Sequence, residues 1–221
     1  MVALGVLAVV SFTGPSGLWT RSSAAGASGR SGDPSIQARL GAVRRVPGDP
    51  LALGRVDAPV VVAEWGDFQC PFCRAFTLDT EPALVSQYVE SGQVRLEWHD
   101  FAYLGPESVL AARGARAAGR QGKFWEFHDT LYRNQPPENS GALTEASLAE
   151  TARGLGLDPA RFAGDFADPA IAAEVDRDQG DGARLGVTGV PSFLINGQLV
   201  VGAQPVAAFR QVIDGALARV R

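Results

Sequence analysis

The sequence predicts an α/β domain in the order strand, helix, strand, a long helical stretch, two strands and a last helix. Three observations predict it. The β-branched run Val60-Val61-Val62-Ala63-Glu64-Trp65 leads through Gly66-Asp67 into a helix opened by Cys70-Pro71. Helix signals then continue almost unbroken from residue 106 to about residue 186. Asn196-Gly197, between two short apolar runs, is a strong two-residue hairpin signal. With 221 residues, 46% of them hydrophobic, the chain can build one domain with a sizeable core, or a compact core carrying an inserted subdomain. An ordinary apolar share and a 20% charged fraction exclude collagen and bulk disorder. A formal charge of −4 gives no electrostatic reason to expect nucleic acid as a partner.

The start of the chain stands apart. Residues 1–10 are almost wholly apolar, and the character continues weakly to Trp19, interrupted by Gly14, Pro15 and Gly17. A Ser/Ala/Gly-rich stretch follows, with Ala25-Gly26-Ala27 as a small-x-small pattern suited to signal cleavage. The run is short of the roughly 20 apolar residues of a stable membrane helix, and no basic segment precedes it, so the natural start is expected upstream. Residues 1–30 therefore read as a signal peptide or N-terminal membrane anchor. A buried terminal strand or helix is the other reading, but no period of 2 or 3.6 supports it. No cysteine follows the run, which leaves out a lipoprotein anchor. Residues 31–50, dominated by Gly, Pro and Arg, read as a linker.

The folded part follows over residues 51–221. Pro82 interrupts the first helix, which must kink there or restart and run on to Glu90 before Ser91-Gly92 stops it. Val94-Arg95-Leu96-Glu97-Trp98 alternates with period 2, a second strand with one apolar face. In the helical stretch, Phe124, Phe127, His128 and Leu131 fall on one helix face, and Thr144 caps a further helix. Asp158-Pro159 and Asp168-Pro169 are each an N-cap followed by proline at the first helical position. Gly186 ends the stretch. Ser192-Phe193-Leu194-Ile195 and Gln198 to Val201 are the hairpin strands, and a helix from about residue 205 to 219 closes the chain with Val206, Phe209, Val212, Ile213 and Leu217 on one side.

The chemistry sits at Cys70-Pro71-Phe72-Cys73, which holds both cysteines of the chain. At a helix start, unpaired backbone N–H groups and the helix dipole favour a thiolate on Cys70. Cys73, about one turn later, is close enough to displace a substrate joined to Cys70. Three other readings compete. A structural disulfide here closes too small a loop to restrain an unfolded chain much. Half a zinc site needs further ligands, for which only His99 and His128 remain besides carboxylates. Of these, His128 reads as a packed histidine and His99 as a solvated one at a strand end. A pair of inert buried thiols sits poorly with the strand-to-helix context. Glu64, six residues before Cys70 in a run of valines, is either a buried acid that exchanges a proton with Cys73 or an exposed acid on an edge strand. Val190-Pro191 is either a cis peptide bond or an ordinary trans proline opening a strand.

Together, the strand with Glu64, the Asp67-Phe68-Gln69-Cys70-Pro71-Phe72-Cys73 stretch, Thr188-Gly189-Val190-Pro191-Ser192-Phe193 and the Asn196-Gly197 hairpin resemble the DsbA-like branch of the thioredoxin superfamily. The resemblance covers about residues 50–221, including Gly122-Lys123-Phe124-Trp125-Glu126-Phe127-His128. It implies a thioredoxin fold: a mixed sheet of four or five strands, helices on both faces and an α-helical insertion at about residues 104–187. It also implies roles. Cys70 matches the exposed nucleophile, Cys73 the buried resolving cysteine, Glu64 the buried acid, and Pro191 with Val190 the cis-proline loop that meets substrate. Pro71 and Phe72 are the dipeptide that tunes the redox site. The best-known oxidants of the family carry His where this chain has Phe72, which cannot add positive charge beside the thiolate.

The expected protein is an extracytoplasmic thiol–disulfide oxidoreductase, secreted or tethered to the membrane, acting as an oxidase on reduced or unfolded exported proteins. It needs no metal and no cofactor beyond its own Cys70–Cys73 disulfide. A membrane quinone-linked reoxidase of the DsbB or vitamin-K-epoxide-reductase type would recharge it. The alternatives are a reductase or isomerase on the same scaffold, or a non-catalytic thioredoxin-fold binding protein.

Overall fold

The valine run at residues 60–62 is the middle of a sheet. In the computed structural model, which describes residue 41 and residues 43–220, the strands are β1 (Ala52–Leu53), β2 (Val60–Gly66), β3 (Val94–Asp100), β4 (Ser192–Ile195) and β5 (Gln198–Val201). Their spatial order is β1-β3-β2-β4-β5. β2 and β3 are parallel, with Val60 beside Val94 and Glu64 beside Trp98, while β4 runs antiparallel to β2. Every residue of β2 is buried, as a near-continuous apolar central strand requires. The two-residue β1, antiparallel to β3, has no signal in the sequence because it lies among turn residues. Asn196 and Gly197 both have positive φ, the conformation of the tight turn that returns β4 into β5. The proposed export segment at 1–30 lies outside the described residues. Among those described, no helix is long and apolar enough to cross a membrane.

A parallel pair needs a crossover, and a single helical run supplies it. It consists of α1 (Pro71–Ala75), a wider π-helical turn (Phe76–Thr80), α2 (Glu81–Leu84) and a second π turn (Val85–Val89). Pro82 has no N–H to give. Just before it, the Glu81 N–H reaches back five residues to the Phe76 carbonyl, so the run widens and restarts instead of breaking. The insertion is built from α3 (Pro106–Gly119), α4 (Phe124–Arg133), α5 (Glu145–Gly154), α6 (Pro159–Ala167) and α7 (Pro169–Arg184), and α8 (Val206–Arg219) ends the domain. Asp158 and Asp168 cap α6 and α7, accepting from the N–H groups of Arg161 and Ala170. Thr144 caps α5, exchanging hydrogen bonds with Ser147.

One sheet face packs Val60, Val62, Leu96, Phe193 and Ile195 against Phe76, Leu84 and Tyr88 of the helical run and Phe209 and Ile213 of α8. The rings of Phe76, Phe193 and Phe209 lie 4.4–5.2 Å apart at their centroids. Inside the insertion, Phe124, Phe127, Leu131, Leu148 and Phe162 form a core that continues into Phe68, Trp98, Cys70 and Cys73. The inserted helices thus pack directly on the CxxC segment.

The other sheet face departs from expectation. The strand read as having one apolar face is buried on both, with Arg95, Glu97 and His99 at 3%, 0% and 2% exposure. His99, expected to be solvated, stacks on Trp65 with ring centroids 4.6 Å apart. The cover comes from α7 and from the segment expected to be linker. Glu97 accepts the backbone N–H groups of Arg44 (2.8 Å) and Arg45 (2.9 Å) and the Arg95 guanidinium (2.7 Å). Arg44 also reaches Asp49, Asp178 and the Trp98 carbonyl. Asp178 of α7 in turn accepts from Arg116 of α3 and from the Asp100 N–H. Alternation alone could not reveal this, because buried ion pairs and solvated charges have the same period.

Candidate active site

Each part of the CxxC segment is fixed from a different element. Gly66 ends β2 against the Trp98 indole, where a Cβ would collide with the ring. The chain then turns at Asp67, whose carboxylate accepts the N–H groups of Gln69 (2.8 Å), Tyr103 (3.0 Å) and Leu104 (3.1 Å). The Tyr132 hydroxyl of α4 donates to the Asp67 carbonyl, and Gln135 donates to the carbonyls of Phe68 and Cys70. The buried amide of Gln69 donates to Ser108 and accepts from the Asn139 N–H. Asp67, Gln69, Tyr132 and Gln135 thus position the site, a role the sequence reading did not assign. Apart from the local Asp67–Gln69 bond, their partners lie 36 to 70 residues away in the chain, and no local pattern announces such pairings.

Cys70 is the N-cap of α1, with Pro71 at the first helical position. Both cysteines are thiols in this structure. The Cys70 thiol is lowered to about 7 by the hydrogen bond it receives from Cys73; the N–H groups of Cys73 and Phe72 add to this, while burial opposes it. Burial pushes the Cys73 thiol well above its ordinary value, and the hydrogen bond to Cys70 adds to the rise. The resemblance led us to expect an exposed Cys70, yet the residue is only 4% exposed. Its sulfur lies 3.5 Å from the Val190 carbonyl, to which the thiol donates, and this loop covers it. The side chains open to solvent around it are Phe72 (65%) and Tyr103 (47%). The Val190-Pro191 bond is cis. Residues 70, 71, 72, 73, 190 and 191 therefore share one place in the fold.

Glu64 lies on central β2, 1% exposed, on the face beneath the helical run. Neither carboxylate oxygen has a hydrogen-bond partner among the described residues. Burial pushes its carboxyl well above the usual range, with the charges of Glu81 and Cys70 adding to the effect. An exposed acid on an edge strand is thereby excluded. His128 is buried in a cage of Phe68, Trp98, Phe124, Trp125 and Tyr132 rings, with Nδ1 3.1 Å from Asp129, and its desolvation favours the neutral ring. His99 alternates out of the Glu64–Trp98 face onto the Trp65 side of the sheet.

This geometry predicts two thiols of very different reactivity. Cys70 is expected to alkylate with a midpoint near pH 7, while Cys73 stays unmodified in the folded protein. Mass spectrometry after timed iodoacetamide exposure across pH reads this out, and a Cys70 midpoint above 8 would contradict it.

Comparison with known proteins agrees with the architecture. The family model described as Thioredoxin matches residues 47–215. A Bacillus cereus protein named probable disulfide bond formation protein D is 35% identical over 152 residues, covering 67% of this chain and 70% of its own. The crystal structure of oxidised BdbD from Bacillus subtilis superposes with a TM-score of 0.71 at 25% identity, over 77% of this chain and 94% of that one. A Salinispora arenicola protein named Na(+)/H(+) antiporter NhaA 1 is 36% identical over 80% of this chain, which spans 26% of that longer one. The fold and the site make the chain a thiol–disulfide oxidoreductase. It belongs to the thioredoxin family, in the DsbA-like branch.

Proposed function

We propose that the protein is an oxidase that donates its Cys70–Cys73 disulfide to exported proteins outside the cytoplasm. The observation that carries the exchange chemistry is the asymmetry of the two thiols. Cys70, lowered to about 7, is a good leaving group from a mixed disulfide, and Cys73 is buried where only an attached substrate or its own partner can meet it. The oxidase direction is supported by the relatives named for disulfide bond formation.

In the first step a substrate thiolate attacks the Cys70 sulfur, and the Cys70–Cys73 bond breaks. Cys73 leaves as a thiolate and takes up a proton, for which buried neutral Glu64 is the donor. A second substrate thiolate then attacks the substrate sulfur and expels Cys70 as a thiolate. The substrate gains a disulfide and the enzyme is left as the dithiol. Val190 and Pro191 line the path of the incoming chain, whose backbone would pair along this loop as an added strand. Pro71 and Phe72 set the environment of the Cys70 sulfur. The reaction uses no metal and no cofactor besides the cysteine pair. Recharging falls to a membrane quinone-linked reoxidase of the DsbB or vitamin-K-epoxide-reductase type, which fits an exported protein with residues 1–30 as signal or anchor.

Phe72 in place of a histidine favours a milder oxidant, since it adds no charge beside the Cys70 thiolate. The expected potential lies between about −270 mV for thioredoxin and about −120 mV for DsbA. Equilibration of the purified protein with glutathione redox buffers measures it. A value at or below about −270 mV would overturn the oxidase direction and establish the reductase reading.

A further inference from the structure

The helical run that carries the CxxC segment also carries polar groups into an apolar core. Cys73, Thr77 and Glu81 recur every four residues along it, and all three are buried, at 0%, 5% and 6% exposure. Glu64 lies on β2 beneath the same run, near enough for the Glu81 charge to raise its carboxyl. Glu81 lines a cavity of about 10 Å³, walled by Val62, Phe76, Leu84, Leu96 and Ile213. Both Glu64 oxygens, Thr77 Oγ1 and Glu81 Oε2 lack a hydrogen-bond partner among the described residues.

We propose that Glu81 is a second buried acid serving Cys73, passing protons between solvent and Glu64 along the stripe that Thr77 completes. A structural acid at this position would be expected to have a partner, because burying an unpaired polar group costs about 1–3 kcal/mol even when neutral. Glu81 has none on its inner oxygen. It also stands at the outer end of the stripe, more exposed than sealed Glu64.

The surroundings keep this acid neutral near pH 7. Burial raises Glu81 to about 8, and the charge of Asp129 on α4 adds to the rise. Asp129 is itself engaged by His128 and Arg133. Glu81 in turn raises Glu64 on β2. β3 contributes Val94 and Leu96 to the cavity wall and α8 contributes Ile213. The charged neighbours on α8 serve Tyr88 instead, through its 2.9 Å hydrogen bond to Asp214 with Arg210 nearby. Two interacting buried carboxyls resist joint ionisation, so a proton lost by one is drawn from the other.

The inference rests on the oxidase reading above and extends it. When Cys73 leaves as a thiolate, Glu64 gives it a proton and becomes a carboxylate. Glu81 gives its proton to Glu64, and solvent returns one to Glu81. No electrons move in these steps. In recharging, the same protons travel outward as Cys73 is deprotonated to close the disulfide.

The test is the rate at which dithiothreitol reduces the oxidised protein, normalised to its thiolate, from about pH 5 to pH 9. Glu81→Gln is expected to be about tenfold slower near pH 6, a smaller loss than the roughly 10²–10⁴-fold contributed by a directly placed proton donor. The deficit should vanish above about pH 8, where wild-type Glu81 is itself ionised, and Glu81→Asp should recover part of the rate at low pH. Equal rates for wild type and Glu81→Gln, or a deficit independent of pH, would overturn the relay. If Glu81→Gln does not fold, infrared carboxyl bands of the wild-type dithiol decide, with Glu64→Gln used to assign them: as Glu81 ionises near pH 8 the band of still-protonated Glu64 must shift, and a Glu64 band unmoved through that titration overturns the proposal. A wild-type protein that transfers no disulfide to a reduced peptide would instead refute the oxidase reading, which separates the two failures.

Discussion

Replacing Cys70 by Ser takes disulfide transfer to a dithiol peptide down to the uncatalysed background, and replacing Cys73 by Ala does the same because it removes the donated disulfide, but the second variant keeps a Cys70 thiolate that a disulfide-linked substrate can join. The difference follows from position. Cys70 holds the helix N-terminus, where the N–H groups of Phe72 and Cys73 face its sulfur, so it is the atom through which substrate is bound. Cys73 is sealed at 0% exposure and acts only on a substrate already attached to Cys70. When the Cys70 thiolate of Cys73→Ala attacks a peptide–glutathione mixed disulfide, it joins the peptide and releases glutathione thiolate, and without Cys73 the new mixed disulfide has no internal exit and persists. Non-reducing electrophoresis and intact mass should show the adduct in Cys73→Ala and none in Cys70→Ser. A Cys70→Ser protein that still transferred disulfides would refute the assignment, and one that kept its cellular role would favour a binding protein.

Asp178→Ala carries the other large effect, on stability. Asp178 joins α7 to Arg44, Arg116 and the Asp100 N–H at a buried position, and its removal leaves the Arg116 guanidinium with only Asp100 and Glu174 and the Asp100 N–H without its side-chain acceptor. Losing a buried hydrogen bond to a charged group that keeps its other partners costs about 1.5–3 kcal/mol. Urea unfolding at neutral pH measures this loss. The same carboxylate ties stability to pH. Burial works against its charge, but His99, Arg116 and Arg44 hold it well below the usual carboxylate range, and Glu97 is held low in the same way. A depressed folded-state value means that the stabilisation is complete above the unfolded value of about 4 and is lost as pH falls through the lower folded value. The wild type should therefore weaken steeply below about pH 4, and Asp178→Ala should show a shallower acid slope. A variant within about 1 kcal/mol of wild type would refute the role of the network.

The order of strands and helices was legible because each element carries local marks. The Asp158 and Asp168 caps, the Asn196-Gly197 turn and the valines of β2 all act within a few residues of themselves. Of the site, the CxxC segment and the Val190-Pro191 loop were legible as motifs, and Glu64 stood out as a charge among valines. Tyr132, Gln135 and Gln69 were not, since hydrogen bonds to main-chain carbonyls and loop amides impose no pattern on the sequence that makes them. Arg95, Glu97 and His99 read as solvent-facing for a related reason. A strand shows which residues share a face, but not whether a helix will cover it. Glu81 was not legible either, since a glutamate in the first turn of a helix that restarts at Pro82 carries no local mark of burial.

The Arg44–Arg45 clasp bears on where this chain can be cut. The main-chain amides of those two residues satisfy Glu97, and the Arg44 side chain reaches across to Asp178. Proteolytic maturation that stops short of residue 43 leaves the ionic face of the sheet closed. Trimming only a few residues further would uncover a carboxylate at the centre of the domain. A chain shortened to begin at residue 51 would retain every catalytic side chain and still fail to hold its sheet shut. The part of the chain that the fold needs therefore begins at Val43 and not at the first strand.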